Sequence, residues 1–274
     1  MYHIAAELPK EVCDRLNIAM VYNPEEEIGS VYSRDTLDAI GAKAAHIFVM
    51  ESAGKFGTRH CFARKGSLGY EFEFHGQAAH SGFMFEVEHA SAILEMGHWI
   101  TTLMGLASKE EDTTVNVGVA QGGTARNVVA DFAKIGVDMR FKKESERIRL
   151  KTAVQELLNG EPFVKGITVT VAAEREAAPF ERTKEAEAYK EVMMQTAAEL
   201  GIPFEEKDRG GLSDANHLSK CTNAIIVDGM GPHGALDHSE KEYGFIPSVE
   251  PCVRLMVRLL EKMVPENQTW EFRI

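Results

Sequence analysis

Between residues 66 and 175 the hydrophobic pattern switches period in an order that few folds can satisfy. Tyr70, Phe72 and Phe74 alternate with Glu71 and Glu73, the period-2 signature of a strand with one buried and one wet face. A helical stripe follows, with apolar or small residues at Ala90, Ile93, Leu94, Gly97, Ile100, Leu103 and Met104. Strands are expected near 114–120 and 133–141, a charged helix near 144–158, and a last strand near 167–172. The resulting order, β-α-β-β-α-β, is the split βαβ or ferredoxin-like unit, so a small domain is expected over 66–175.

The flanks read differently. Residues 17–22 form a short apolar run stopped by Asn23-Pro24, Ser33 is a plausible N-cap for a helix through about Ala44, and 46–50 is a second apolar run ending at Glu51. Strand, helix, strand suggests a parallel α/β unit. Beyond Lys184 come a helix over 185–200, a short strand near Phe204, a Gly-rich turn, a buried strand over 223–227 and an amphipathic helix over 249–263. The economical arrangement is one α/β domain, 1–65 with 176–274, interrupted by the ferredoxin-like insertion. A chain of 274 residues, 44% hydrophobic, can bury the cores this requires.

Charge and cysteine usage narrow the function classes. With 30 basic against 42 acidic residues the net charge is −12, which argues against affinity for nucleic acid or an anionic membrane surface and favours a small-molecule or peptide substrate. The first residues lack a basic start with a long apolar run, and no later stretch approaches 18 uncharged apolar residues. Cys13, Cys61, Cys221 and Cys252 are scattered, without a C-x-x-C pair or the density of a disulfide scaffold. A cytoplasmic location with reduced thiols is expected.

Glu25, Glu26 and Glu27 stand just past the carboxyl end of the first expected strand, where open α/β sheets place their ligands. Adjacent carboxylates repel unless neutralised, and a metal ion would do so, with one carboxylate as ligand and its neighbour as general base. Taken alone, such a run is more often a solvated acidic turn. Glu51 ends the next strand, 24 residues after Glu27, and parallel neighbours bring their carboxyl ends together; a water-exposed strand end is the plain alternative. His238 follows the 223–227 strand and a Gly-rich loop, and could ligate zinc with Asp237 or Glu240 orienting it, or be a surface histidine; His217 and His233 are weaker candidates. Gly229-Met230-Gly231-Pro232-His233-Gly234 matches G-x-G-x-x-G formally, but no helix and βαβ unit follow. The chain has no G-x-x-x-x-G-K-[ST] loop and no G-x-S-x-G elbow.

Together these segments resemble the M20 metallopeptidase family, its glutamate carboxypeptidase-like and aminoacylase-like members in particular. Glu26-Glu27-Ile28-Gly29-Ser30 with Ser33-Arg34-Asp35 is similar to the family's Glu-Glu-x-Gly-Ser signature, which implies Glu26 as general base and Glu27 as zinc ligand. Glu51 falls at the position of an acidic ligand of the other zinc. His238 falls at the C-terminal histidine ligand, preceded by a Gly210-Gly211-Leu212-Ser213-Asp214-Ala215 turn like the family's. Gly76-Gln77-Ala78-Ala79-His80-Ser81-Gly82 resembles the lid motif whose histidine, often from the partner subunit, stabilises the oxyanion. Asn127 and Arg140 match the lid's Asn and Asp-x-Arg positions, and Arg140's planar fork suits a substrate carboxylate.

The resemblance implies two zinc ions, or cobalt or manganese, a homodimer through the lid, and release of a C-terminal amino acid from a small peptide or N-acyl amino acid. Carboxypeptidase and deacylase would use the same residues. Two departures stand out. The family's early His-x-Asp motif and the Asp bridging both metals lie upstream of the Glu-Glu segment and are not found here, so Glu27 and His238 serve one zinc and Glu51 alone the other. The Arg-Pro-Pro-like turn reads Arg175-Glu176-Ala177-Ala178-Pro179-Phe180. A dimeric fragment without a complete metal site is therefore the alternative from another class.

Overall fold

The computed structural model describes residues 1–54, 58–236 and 238–264. In chain order the helices are α1 (Tyr2–Glu7), α2 (Lys10–Arg15), α3 (Arg34–Gly41), α4 (Ala92–Met104), α5 (Glu144–Asn159), α6 (Lys184–Glu199), α7 (Asp214–Leu218) and α8 (Val249–Met263). The strands are β1 (His46–Phe48), β2 (Arg59–His60), β3 (Gly66–His75), β4 (Ala79–His80), β5 (Thr114–Gly122), β6 (Val128–Val129), β7 (Phe132–Phe141), β8 (Thr168–Ala177), β9 (Glu205–Glu206), β10 (Ile225–Val227), β11 (Gly234–Ala235) and β12 (Tyr243–Gly244). They fall into two compact units, Met1–Arg64 with Phe180–Ile274, and Lys65–Pro179.

The inserted unit is an antiparallel sheet of order β5-β7-β3-β8 carrying α4 and α5, the ferredoxin-like topology. Alternation along β3 decides which face is dry. Leu68, Tyr70, Phe72 and Phe74 point into the core with Ile135, Met139 and Phe141 of β7, and the helices close over them with Trp99, Leu103, Leu150 and Val154. Helix α4 starts where Ser91 Oγ accepts from Leu94 N at 3.3 Å. Its buried Glu95 is satisfied by Trp99 Nε1 at 3.0 Å and by the amide of Val164 at 2.7 Å. Strand β8 runs on to Ala177, past the expected end near 172, because β3 offers ladder partners as far as Ser67, which pairs with Ala177. Its polar Glu174 and Glu176 meet Lys151 of α5 instead of a core.

In the other unit β1 and β10 pair in parallel, His46 with Ile225 through Phe48 with Val227. Alternation along β10 separates two layers. Val227 faces α6 and α8, among Met193, Leu255 and Leu259, while Ile226 faces α3 and α7, among Leu37, Ala215 and Leu218. Helix α8 buries Cys252, Leu255, Met256, Leu259 and Leu260, a stripe at helical spacing. The run 17–22 forms no strand: it lies beside β1 without a ladder partner, and Ile18, Val21 and Tyr22 stay exposed. An apolar run becomes a parallel strand only where a neighbouring edge receives its hydrogen bonds. Here it lines a cleft of about 1590 Å³, together with β1, Ile40 of α3 and Met256 and Leu260 of α8. Among the described residues no helix is long and apolar enough to cross a membrane.

Candidate active site

The Glu-rich loop is built from its own side chains. Glu26–Ile28 form a single 3-10 turn, closed by Gly29 at φ 82° and Ser30 at φ 54°. Ser33 occupies the N-cap position of α3 without capping it. Its hydroxyl donates to Asn23 Oδ1 at 3.0 Å, and the carboxylate of Glu25 takes over, accepting from the amides of Tyr32 and Ser33 at 2.9 Å each. Glu25 is thus consumed structurally, which leaves Glu26 and Glu27 for chemistry.

Glu51 follows β1, where its carbonyl accepts from Gly231 N at 2.8 Å. That approach explains the glycine: a Cβ on Gly231 would stand 2.3 Å from the carbonyl oxygen of Met50. The formal dinucleotide fingerprint is therefore a close backbone crossing beside the strand end. Glu51 is held above the ordinary carboxylate range by burial and by Asp228, with Arg64 and Arg209 opposing. Glu26 is pushed up to about 7 by burial first, then by the charges of Glu51, Asp214 and Glu27. The structure thus gathers Glu26, Glu27, Glu51 and Asp214 into one electrostatic neighbourhood, although 188 residues of chain separate Glu26 from Asp214.

His238 comes to the same place. Its Nδ1 lies 3.6 Å from Glu27 Oε2, with the two side chains 75% and 74% exposed, so the pair is a surface contact of little energetic weight. His238 itself adopts φ 63°, in the left-handed region. Asp237 lies outside the described residues. His217 is engaged elsewhere, 2.6 Å from Asp38 Oδ1 of α3, and His233 packs edge-on to Tyr243 and Phe245.

Beneath the cluster is a buried ion pair that the sequence did not disclose. Arg64 Nε donates to Asp228 Oδ2 at 2.5 Å, with both side chains almost wholly buried. Ser213 Oγ donates to the same oxygen at 2.7 Å, and Arg64 Nη1 donates to the carbonyls of Gly211 and Leu212 at 3.1 Å each. Burial opposes the Arg64 charge, and the adjacent Asp228 carboxylate outweighs it. The pair spans 164 residues, and Ala63-Arg64-Lys65 reads locally as an ordinary basic surface segment.

Carboxylates whose proton affinity is raised by burial first and then by one another's charge suit a cation, and carboxylate with imidazole suits zinc. In number the donors fall short. Among the described residues no three His, Cys, Asp or Glu side chains converge on one point, whereas a catalytic zinc takes three protein ligands.

In the inserted unit, β4 pairs with β6, His80 opposite Val128, and Ser81 N donates to Asn127 O at 3.0 Å, so His80 and Asn127 stand together on the surface. His80 Nδ1 accepts from Gly82 N at 3.0 Å. With that nitrogen an acceptor, the neutral ring carries its proton on Nε2 as an outward donor. Arg140 is far from both. It lies near the opposite end of β7, at about 3.4 Å per residue roughly 27 Å from Phe132, and its Nε donates to the Asp138 carboxylate at 3.0 Å.

Residues 62–163 match the family model described as the peptidase dimerisation domain, M20_dimer. The chain is 31% identical to the acetylornithine deacetylase of Myxococcus xanthus over 173 residues, 58% of this chain and 44% of that one. It is 38% identical to a probable carboxypeptidase of Aspergillus fumigatus over 114 residues, 36% of this chain and 26% of that one. Among solved structures it is similar to the aminopeptidase PepT of Bacillus cereus, with TM-score 0.70, 22% identity, and coverage of 87% of this chain and 62% of that chain. The chain thus spans less than two thirds of the length of each of these proteins.

Proposed function

We propose that the chain is a member of the M20 metallopeptidase family, whose dimerisation-domain model matches residues 62–163, and that it carries the acidic side of a hydrolytic site that cleaves an amide bond next to a free carboxylate, releasing a C-terminal amino acid. The observation that carries this reading is Glu26. A carboxyl whose proton affinity lies at about 7 can take a proton from the attacking water and return it to the leaving amine near neutrality.

Glu27 and His238 would hold one metal ion and Glu51 would contribute to a second, zinc fitting the donor types, with cobalt or manganese as alternatives. When bound, such an ion supplies Lewis-acid polarisation of the scissile carbonyl. His80 presents its Nε2–H, the donor an oxyanion needs, and Asn127 beside it offers an amide. Arg140 would bind the substrate carboxylate. Because it stands far along β7 from His80 and Asn127, the pair and the arginine of one chain do not meet on the same substrate molecule, which supports a homodimer through the lid. Deacylation of an N-acyl amino acid is the second reading, favoured by the similarity to the acetylornithine deacetylase. A dimeric protein without a complete metal site is a third, favoured by the shortage of converging ligands among the described residues.

The test is hydrolysis of tripeptides and N-acyl amino acids by the zinc-supplied chain. Glu26→Gln is expected to lower kcat by about 100-fold or more, the share a positioned base contributes. Turnover undiminished by that substitution would remove Glu26 from the mechanism.

A further inference from the structure

Glu26 and Glu27 stand on a turn with no strand or helix ladder to hold its ends. It continues into Ser30, a side-chain-bearing residue at φ 54° that is only 2% exposed. A residue in that region persists only where its surroundings over-determine it. Ser30 Oγ donates to Asp214 Oδ1 at 2.8 Å. Asn23 Nδ2 donates to Ser30 Oγ at 2.7 Å and to Asp214 Oδ2 at 2.8 Å. The other face of Asn23 is used as well, its Oδ1 accepting from Glu25 N at 3.1 Å and from Ser33 Oγ at 3.0 Å. Both ends of the turn therefore converge on one carboxylate that arrives 184 residues after Ser30.

Asp214 is itself held firmly. It opens α7 behind the N-cap Ser213, whose side chain accepts from Ala215 N at 3.1 Å and donates to Asp228, while Arg64 grips the carbonyls of Gly211 and Leu212. A rigid support thus ends in a carboxylate that accepts from the two side chains bracketing the turn.

We propose that Asp214 is the positioning residue of the candidate base and metal ligand: by accepting from Ser30 and Asn23 it fixes the turn that aims Glu26 and Glu27. The proposal rests on the hydrolytic reading of those two residues, but the loop order it predicts can be measured without turnover.

The experiment compares amide hydrogen exchange over residues 25–33 in the unsubstituted chain, Asp214→Ala, Asp214→Asn, Ser30→Ala and the Ser30→Ala/Asp214→Ala double variant, with the amides of α8 as control for the global fold. Asp214→Ala is expected to speed exchange at Gly29–Ser33 roughly tenfold or more while α8 is unchanged. Asp214→Asn, which keeps an acceptor oxygen for Ser30, recovers part of the protection. The double variant shows less than the sum of the two single effects, since both substitutions remove the bond from Ser30 Oγ to Asp214. In the zinc-supplied assay Asp214→Ala lowers kcat roughly tenfold with KM little changed, a split that general loosening of the fold does not produce. Loop protection unchanged in Asp214→Ala would overturn the proposal, as would effects of the two substitutions that simply add. Should Asp214→Ala not fold, unchanged loop exchange in both Ser30→Ala and Asp214→Asn overturns it equally. Absence of turnover in the unsubstituted chain counts against the hydrolytic reading, while the exchange result still decides the role of Asp214.

Discussion

The charge of Glu26 has a consequence for stability that can be read without substrate. Its folded-state value of about 7 lies above the ordinary 4.5, so the folded chain holds this proton more tightly than the unfolded one. The benefit is therefore fully present below about 4.5 and is lost as pH rises through about 7. The metal-free chain is expected to have a higher urea midpoint at pH 5 than at pH 8, and Glu26→Gln is expected to flatten that part of the profile. A profile that Glu26→Gln leaves unchanged would mean that this carboxyl is not the crowded one. At this scale legibility depended on sequence distance. Glu26 and Glu27 are adjacent, so their mutual repulsion could be read from the chain, whereas Arg64 and Asp228 meet across 164 residues with no periodic signal to join them. The service that Glu25 gives to α3 was equally hidden, since an acidic run does not say which carboxylate turns back to cap a helix.

Elements were legible where a periodic face packs on something inside the same unit. The stripe of α8 and the alternation of β3 were readable because each has a core to fill, and the structure forms both. The run 17–22 has the composition of a strand but no edge in the described residues that pairs with it, so propensity alone did not make one. Helix α4 poses the opposite case. Its Ala92, Trp99 and Leu103 are buried in the sheet, while Ile93, Leu94 and Met104 remain exposed along the same helix. The apolar stripe read from the sequence is thus two faces, one packed in the unit's core and one exposed, which the proposed homodimer would cover. If the lid pairs as proposed, Leu94→Glu is expected to shift the protein from dimer to monomer in sedimentation while leaving its far-UV circular dichroism unchanged. A monomeric parent chain would remove the basis for pairing one subunit's Arg140 with the other's His80 and Asn127.

For the whole molecule, the fold class was readable because both units declare themselves by element order, one by β-α-β-β-α-β and the other by alternating strands and helices. The metal centre was less so. Glu27 lies beside His238, but among the described residues no three His, Cys, Asp or Glu side chains converge on one point, and the chain spans 44% to 62% of the deacetylase and PepT chains it resembles. The most direct test of the acidic cluster as a metal-ligating hydrolytic centre is a calorimetric zinc titration of the purified chain beside its Glu27→Gln and His238→Ala variants. The expected result is weak, saturable binding by the unsubstituted chain that either substitution abolishes, because two donors are too few for tight retention and too many to lose one. Zinc binding of the same strength and stoichiometry in all three proteins would contradict the site.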